Sequence, residues 1–172
     1  MAGAVLAITF AALGYCYMMV PSTPESIITD AYGTVMTELR ENAIRDITAK
    51  VSASGQGRLL AFRRGLIDLY DSLRNYETRM IELALDLGLR SPEEITDGIS
   101  TRFAQQVPSI AKSLAPGLGG NDSLVAWKEA TAFEDRLKAY IPGIASRVRL
   151  ATELRRRKDD SVLYPSTAAF VP

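Results

Sequence analysis

Apolar positions recur along the whole chain, and their pattern changes once, at Pro21. Residues 2–20, AGAVLAITFAALGYCYMMV, contain no charge, proline, asparagine or glutamine. As a helix this run would rise about 28 Å, close to the roughly 30 Å hydrocarbon core of a bilayer. The pattern predicts one N-terminal membrane-type helix within residues 1–21, with Leu6, Phe10, Leu13 and Tyr17 as anchoring side chains. Tyr15 and Tyr17 fall near one end, where amphipathic rings favour the membrane–water boundary. A secretory signal would open with Lys or Arg, whereas this segment opens Met-Ala-Gly-Ala, so a retained helix is favoured. The composition also permits an apolar helix buried in a protein assembly.

From Pro24 to residue 160 the period is helical, broken only by turns and loops. Thr23 is a candidate N-cap and Pro24 suits a first helical position. Ile28, Tyr32, Val35, Leu39, Ala43, Ile47 and Val51 form the apolar stripe of the helix that follows, and SASGQG (52–57) reads as a turn. The next helix has the cleanest pattern. Leu59, Phe62, Leu66, Leu69, Leu73, Tyr76, Met80, Leu83 and Leu87 alternate in steps of three and four, the 3.5-residue repeat of packed helices. Leu66, Leu69, Leu73 and Met80 are expected to be buried. A second row, Leu60, Ile67, Tyr70, Ile81 and Ala84, predicts burial against more than one neighbour, and charges including Arg64, Asp68, Arg74 and Glu77 sit off the seam.

Gly88 is a natural helix stop, and Ser91-Pro92-Glu93-Glu94 is a capping box. It opens a short helix with Ile95, Ile99, Phe103 and Val107 on one face, which Pro108 should interrupt. APGLGGN (115–121) reads as a flexible loop. A last helix starts at Asp122 or Ser123, with Leu124, Trp127, Phe133, Leu137, Ile141, Ile144, Val148 and Ala151 facing inward and a kink at Pro142-Gly143. Residues 161–172 have two prolines and no helical period. They read as an extended arm reaching onto a neighbouring subunit. The expected fold is all-α: an apolar anchor (1–21), an elongated antiparallel helical bundle (22–160) and a C-terminal arm (161–172).

Composition narrows the chemistry. The 172 residues contain no histidine, which removes Ser-His-Asp and Cys-His nucleophilic sites and histidine-based metal sites. The only cysteine, Cys16, lies in the apolar segment, so no thiolate cluster is available for zinc. SGQG and GLGG lack the preceding strand and the following Lys-Ser/Thr of a phosphate loop. The carboxylate pairs Glu38/Glu41 and Glu82/Asp86 would have to converge with others to hold a metal. Arg63-Arg64 reads as a solvated face, with Asp68 one turn beyond Arg64. No catalytic, cofactor or metal site is predicted, nor a small-molecule substrate.

Lys+Arg and Asp+Glu balance at 20 each, yet the cations are unevenly placed. Arg136, Lys138, Arg147, Arg149, Arg155, Arg156, Arg157 and Lys158 face only Glu153 within the 136–158 stretch. A helix-dipole role is confined to the last turn. Arg147, Arg149, Arg155, Arg156 and Arg157 are therefore expected beside something anionic: an acidic surface of a neighbouring copy first, lipid phosphate second. Nucleic acid is not favoured, because Tyr140 is the only ring among these cations. The function class that follows is a non-enzymatic structural or assembly subunit of a membrane-associated complex. A virion component is slightly favoured, since helical bodies with terminal arms suit repeated packing. An accessory subunit of an organellar or bacterial membrane complex is the close alternative. A pore-forming or ejected effector acting through the basic helix is the contrasting class.

Overall fold

Two long helical hairpins, laid side by side, bury the predicted stripe of the first long helix and most of the seam of the second. The computed structural model describes residues 24–163. They form α1 (Pro24–Ala53), α2 (Arg58–Asp86), α3 (Pro92–Leu114), α4 (Gly120–Tyr140) and α5 (Pro142–Leu163), with short 3-10 turns at Gly55–Gly57 and Ala115–Leu118. No strand occurs among the described residues. Among them no helix is long and apolar enough to cross a membrane. Residues 2–20, including Leu6, Phe10, Leu13 and Tyr17, lie outside the described residues, as do Thr23 and the arm beyond Leu163.

The α1 stripe is buried at every position from Ile28 to Val51. It meets the α2 seam, where Phe62, Leu66, Leu69, Leu73 and Met80 are buried as their spacing predicted. The two helices, of 30 and 29 residues, span roughly 45 Å each. They run antiparallel: Lys50 pairs with Asp68, Asn42 donates to the Tyr76 hydroxyl, and Arg79 forks onto Glu38 at 2.8 and 2.9 Å. Gly65 permits the close approach. A Cβ there would stand 2.7 Å from Ile47 Cγ1 and 3.3 Å from its Cβ.

The connection from α2 to α3 follows its local chemistry. Gly88 takes φ 90°, a left-handed conformation open to glycine. Its N–H donates to Leu85 O at 3.1 Å and that of Leu89 to Ala84 O at 2.8 Å, the paired bonds of a Schellman stop. Ser91 then caps α3, its hydroxyl accepting from the Glu94 N–H at 3.2 Å.

In the second hairpin α3 runs antiparallel to α4 and α5, cross-linked by Lys112–Glu134 and by Arg149–Glu93 at 3.8 Å. Both hairpins are antiparallel, and across the bundle α4 and α5 lie parallel to α2. Arg63–Glu129, Arg147–Glu77 and Arg155–Asp86 step along the facing helices in the same direction. This arrangement places α1 beside α2 and α3, and the α4–α5 rod beside α2 and α3 as well.

Several local expectations are corrected. Pro108 does not end α3, which continues to Leu114 with Pro108 itself buried. Ala104, whose carbonyl loses its helical donor to the proline, is exposed, so water can take that acceptor. APGLGGN is not a plain loop, because Ala115 and Leu118 of its 3-10 turn are buried and close the core. Pro142 does more than kink the last helix. It starts a new one, with Ile141 N–H still bonded to Leu137 O at 3.0 Å. The helical part extends past residue 160 to Leu163.

Leu124 and Trp127 are not core residues, being 68% and 49% exposed. The buried face of α4 is Ala126, Ala130, Phe133 and Leu137, so small side chains bring this helix close and turn its largest ring outward. In the second row on α2, Ile81 and Ala84 are buried, but Leu60 and Ile67 are half-exposed; Leu87, the last position of the seam, lies on the surface at the helix end.

Candidate functional site

The one buried charged side chain among the described residues is Glu77, 1% exposed in the middle of α2. It continues the second apolar row at heptad spacing from Tyr70 to Ala84, so the helix carries it inward with its neighbours. The sequence pattern had placed it off the seam, among solvent-facing charges. The structure places it facing the joint between α4 and α5. Tyr140, the last residue of α4, donates its hydroxyl to Glu77 Oε2. Arg147, from the second turn of α5, donates from Nε to Oε1 at 2.7 Å and from Nη2 to Oε2 at 2.8 Å. Arg74 stands 3.9 Å away on the same helix. One carboxylate therefore holds the residues on both sides of the Pro142 break.

Aromatic rings enclose the cluster. Tyr70 meets Tyr140 edge-on at 5.7 Å between centroids, Phe103 stacks on it at 6.5 Å, and the Arg147 guanidinium lies 4.7 Å above its ring. Burial, followed by the bond to Glu77, raises the Tyr140 phenol well above its ordinary range. The same hydrogen bonding holds the Arg147 guanidinium more firmly charged. Both Glu77 oxygens accept from donors of this chain, which suits a fixed electrostatic bolt and leaves no oxygen turned to a substrate.

Outside the bolt, α2 and α5 border an open groove of about 410 Å³. Ile81, Leu85, Leu150 and Leu154 give it an apolar floor, and Arg74 and Arg155 stand on its rim. Leu150 and Leu154 are 61% and 56% exposed. A second groove, about 590 Å³, runs by Leu60, Ala61 and Ile67 near the α1–α2 turn.

Each of the five arginines predicted to face an anion has a carboxylate partner inside the chain. Arg147 holds Glu77. Arg155 holds Asp86 at 2.9 Å and Asp159 at 3.5 Å. Arg156 and Arg157 both bind Glu153 at 3.0 Å, and their hydrogen bonds lower its carboxyl below the usual range. Arg149 reaches Glu93 across exposed surface. Arg147 and Arg155 thus find counterparts on α2 and Arg149 one on α3, which sequence proximity could not display, while Arg156 and Arg157 share Glu153 within α5. Arg63 behaves likewise, pairing with Glu129 at 2.7 Å, while Asp68 pairs with Lys50 rather than with Arg64. Among the described residues no group of three or more Asp, Glu, Cys or His side chains converges as a metal site.

A second buried phenol gives a pH test. Tyr32 is buried on α1 with Arg102 5.0 Å from its ring centroid, and its hydroxyl has no hydrogen-bond partner. Burial lifts it to about 12 despite the nearby guanidinium. Tyr32 and Tyr140 both hold their protons more tightly folded than unfolded, where a phenol titrates near 10. Their stabilising contribution is complete below about pH 10 and is lost as pH rises through the folded values. Denaturant unfolding at pH 9, 10 and 11 should show stability falling over the last step. Tyrosinate absorbance should rise abruptly with unfolding, and a smooth titration of every tyrosine near pH 10 in the folded chain would contradict this assignment.

No protein-family model, curated protein or solved structure matches the chain.

Proposed function

We propose that this chain is a non-enzymatic structural subunit, acting by contact with protein neighbours in a membrane-associated assembly and anchored there by residues 2–20. The observation that carries the reading is the placement of large apolar side chains outside a core that is already complete. Leu60 and Ile67 share one outer face of α2, and Leu124 and Trp127 lie on the first two turns of α4. Scattered surface leucines are ordinary, but a half-exposed tryptophan beside a leucine, and a groove with two more apolar residues, have the composition of interface anchors. The lack of histidine and the internal pairing of the basic helix both favour contact over chemistry or nucleic-acid binding. A virion component fits this reading best, because repeated packing uses several faces of one small helical body.

The experiment is deletion of residues 2–20. The parent chain is expected to co-purify with its membrane or complex, and the deleted form to be released with its helix content intact. Unchanged recovery of the deleted form in that fraction would remove the anchor from the proposal. A Leu6→Arg variant should act in the same direction, since a mid-membrane arginine costs roughly 2.5–3.5 kcal/mol on insertion scales.

A further inference from the structure

The outer stripe of α2 carries a charge pattern that is completed only across a two-fold axis. We propose that two copies of this chain pack antiparallel along α2, with Ile67 of each at the axis and Arg64 of each paired with Asp71 of the other. The inference rests on the subunit reading above and names one neighbour as a second copy.

Leu60, Arg64, Ile67 and Asp71 recur in steps of four, three and four, so they share one face of the helix, and all of them are exposed. Leu60 and Ile67 put half-exposed apolar surface on that face. The charges beside the stripe are used inside the chain: Asp68 pairs with Lys50 of α1, and Arg63 with Glu129 of α4. Arg64 and Asp71 differ, since among the described residues neither meets an opposite charge or a hydrogen-bond partner. They stand about 10 Å apart along α2, two turns rather than one, so they do not form a pair within the helix. Both ends of the described chain also lie away from this face. Arg79–Glu38 and Arg155–Asp86 place the start of α1 and the end of α5 beyond the Asp86 end of α2.

Charge selects the arrangement. Two parallel α2 helices would set Arg64 on Arg64 and Asp71 on Asp71. An antiparallel pair centred on either of those residues repeats one of the repulsions. Centred at Ile67, the antiparallel pair brings Arg64 to Asp71 twice, once on each side of the axis, as a self-complementary interface requires. Ile67 then meets its own copy in the middle, and Leu60 lies over the aliphatic stem of the exposed Arg74 of the second copy. The face of α4 near Trp127 and the α2–α5 groove stay open for other neighbours.

Cross-linking of the full chain in mild detergent tests the register. With Cys16→Ala as background, Ile67→Cys is introduced and oxidised mildly at micromolar protein. A disulfide requires Cα atoms within about 7 Å, which two copies of position 67 meet only beside the axis. A disulfide-linked pair of chains is expected. Thr78→Cys, on the same stripe, is the control: its two copies would stand roughly 30 Å apart, so it should stay reduced. Adding Arg64→Glu to the Ile67→Cys chain turns both attractions into repulsions and should slow cross-linking about tenfold, and adding Asp71→Arg as well should restore it. Helix content and the unfolding midpoint should stay at the parent values, because neither charge has a partner among the described residues. Equal cross-linking at position 78, none at position 67, or cross-linking at 67 that ignores both charge changes overturns the pairing. Sedimentation of the parent in the same detergent separates the two readings. A heavy particle whose position 67 stays reduced overturns the α2 pairing alone, whereas single-chain mass at every concentration overturns the subunit reading with it.

Discussion

Replacing Glu77 with leucine is expected to cost about 3 kcal/mol of folding stability, a large effect for one surface-remote charge. The reasoning is electrostatic. Glu77 is 1% exposed and its two oxygens accept from Arg147 and Tyr140. Glu77→Leu leaves Arg147 beside an apolar side chain and strips the Tyr140 hydroxyl of its acceptor. Breaking a fully buried pair typically costs about 3–5 kcal/mol. The low end applies because the Arg147 side chain is 23% exposed and can turn part of its charge to water. Arg147→Met should be at least as damaging, since Glu77 has no such route to solvent. The double variant Glu77→Leu with Arg147→Met should be more stable than either single variant, because a packed apolar pair desolvates no ion, with its remaining deficit set by the Tyr140 hydroxyl, which still lacks its acceptor.

Denaturant unfolding of the three variants in parallel measures this cycle. Additive losses, with the double variant worst, would show that the two side chains do not act as a pair. The single variants should also loosen α5 from α4. Limited proteolysis should then cut faster around residues 141–143, where one proline separates the helices that Glu77 holds together.

The sequence resolves the helices far better than the packing between them. The stripes of α1 and α2 are visible because every third or fourth residue is large and apolar, and burial follows that spacing from Ile28 to Val51 and from Phe62 to Met80. The stop at Gly88 and the start at Ser91 are equally visible, since each depends on chemistry within a few residues. The α4 face was missed because its buried positions include Ala126 and Ala130, which a search for large side chains passes over in favour of Trp127. Pro108 misled because the cost of a proline depends on whether the freed carbonyl meets water, and that is set by the tertiary surroundings.

The site divides in the same way. Arg147 and Arg155 stood out as charges in a basic run. Their partners Glu77 and Asp86 lie 70 and 69 residues away in the chain, and no local pattern connects them. One signal for Glu77 was available: the second row of α2 passes from Tyr70 to Ala84 in heptad steps with a glutamate in the middle position. A charge in an apolar row is a candidate for a buried partner, and here the partner is the start of α5.

The second large effect concerns association. Leu124→Ser with Trp127→Ser removes two side chains that are already about half exposed or more, so folding stability should change by no more than about 0.5 kcal/mol per position. If the outer face of α4 is an interface, Trp127 is its natural anchor. Truncating such a residue costs about 2 kcal/mol or more of binding, roughly thirtyfold in affinity at each interface it anchors. An assembly that repeats the interface multiplies that effect. The variant should therefore fold like the parent and assemble poorly, a separation that a purely structural role for Trp127 within one chain would not produce.

Sedimentation of the native material tests the subunit reading most directly. The parent chain is expected to travel in a particle many times heavier than one chain, and the Leu124→Ser/Trp127→Ser variant to shift towards the mass of a single chain with its unfolding midpoint unchanged. A parent that sediments as a single chain at every concentration, in detergent or released from its membrane, would contradict it.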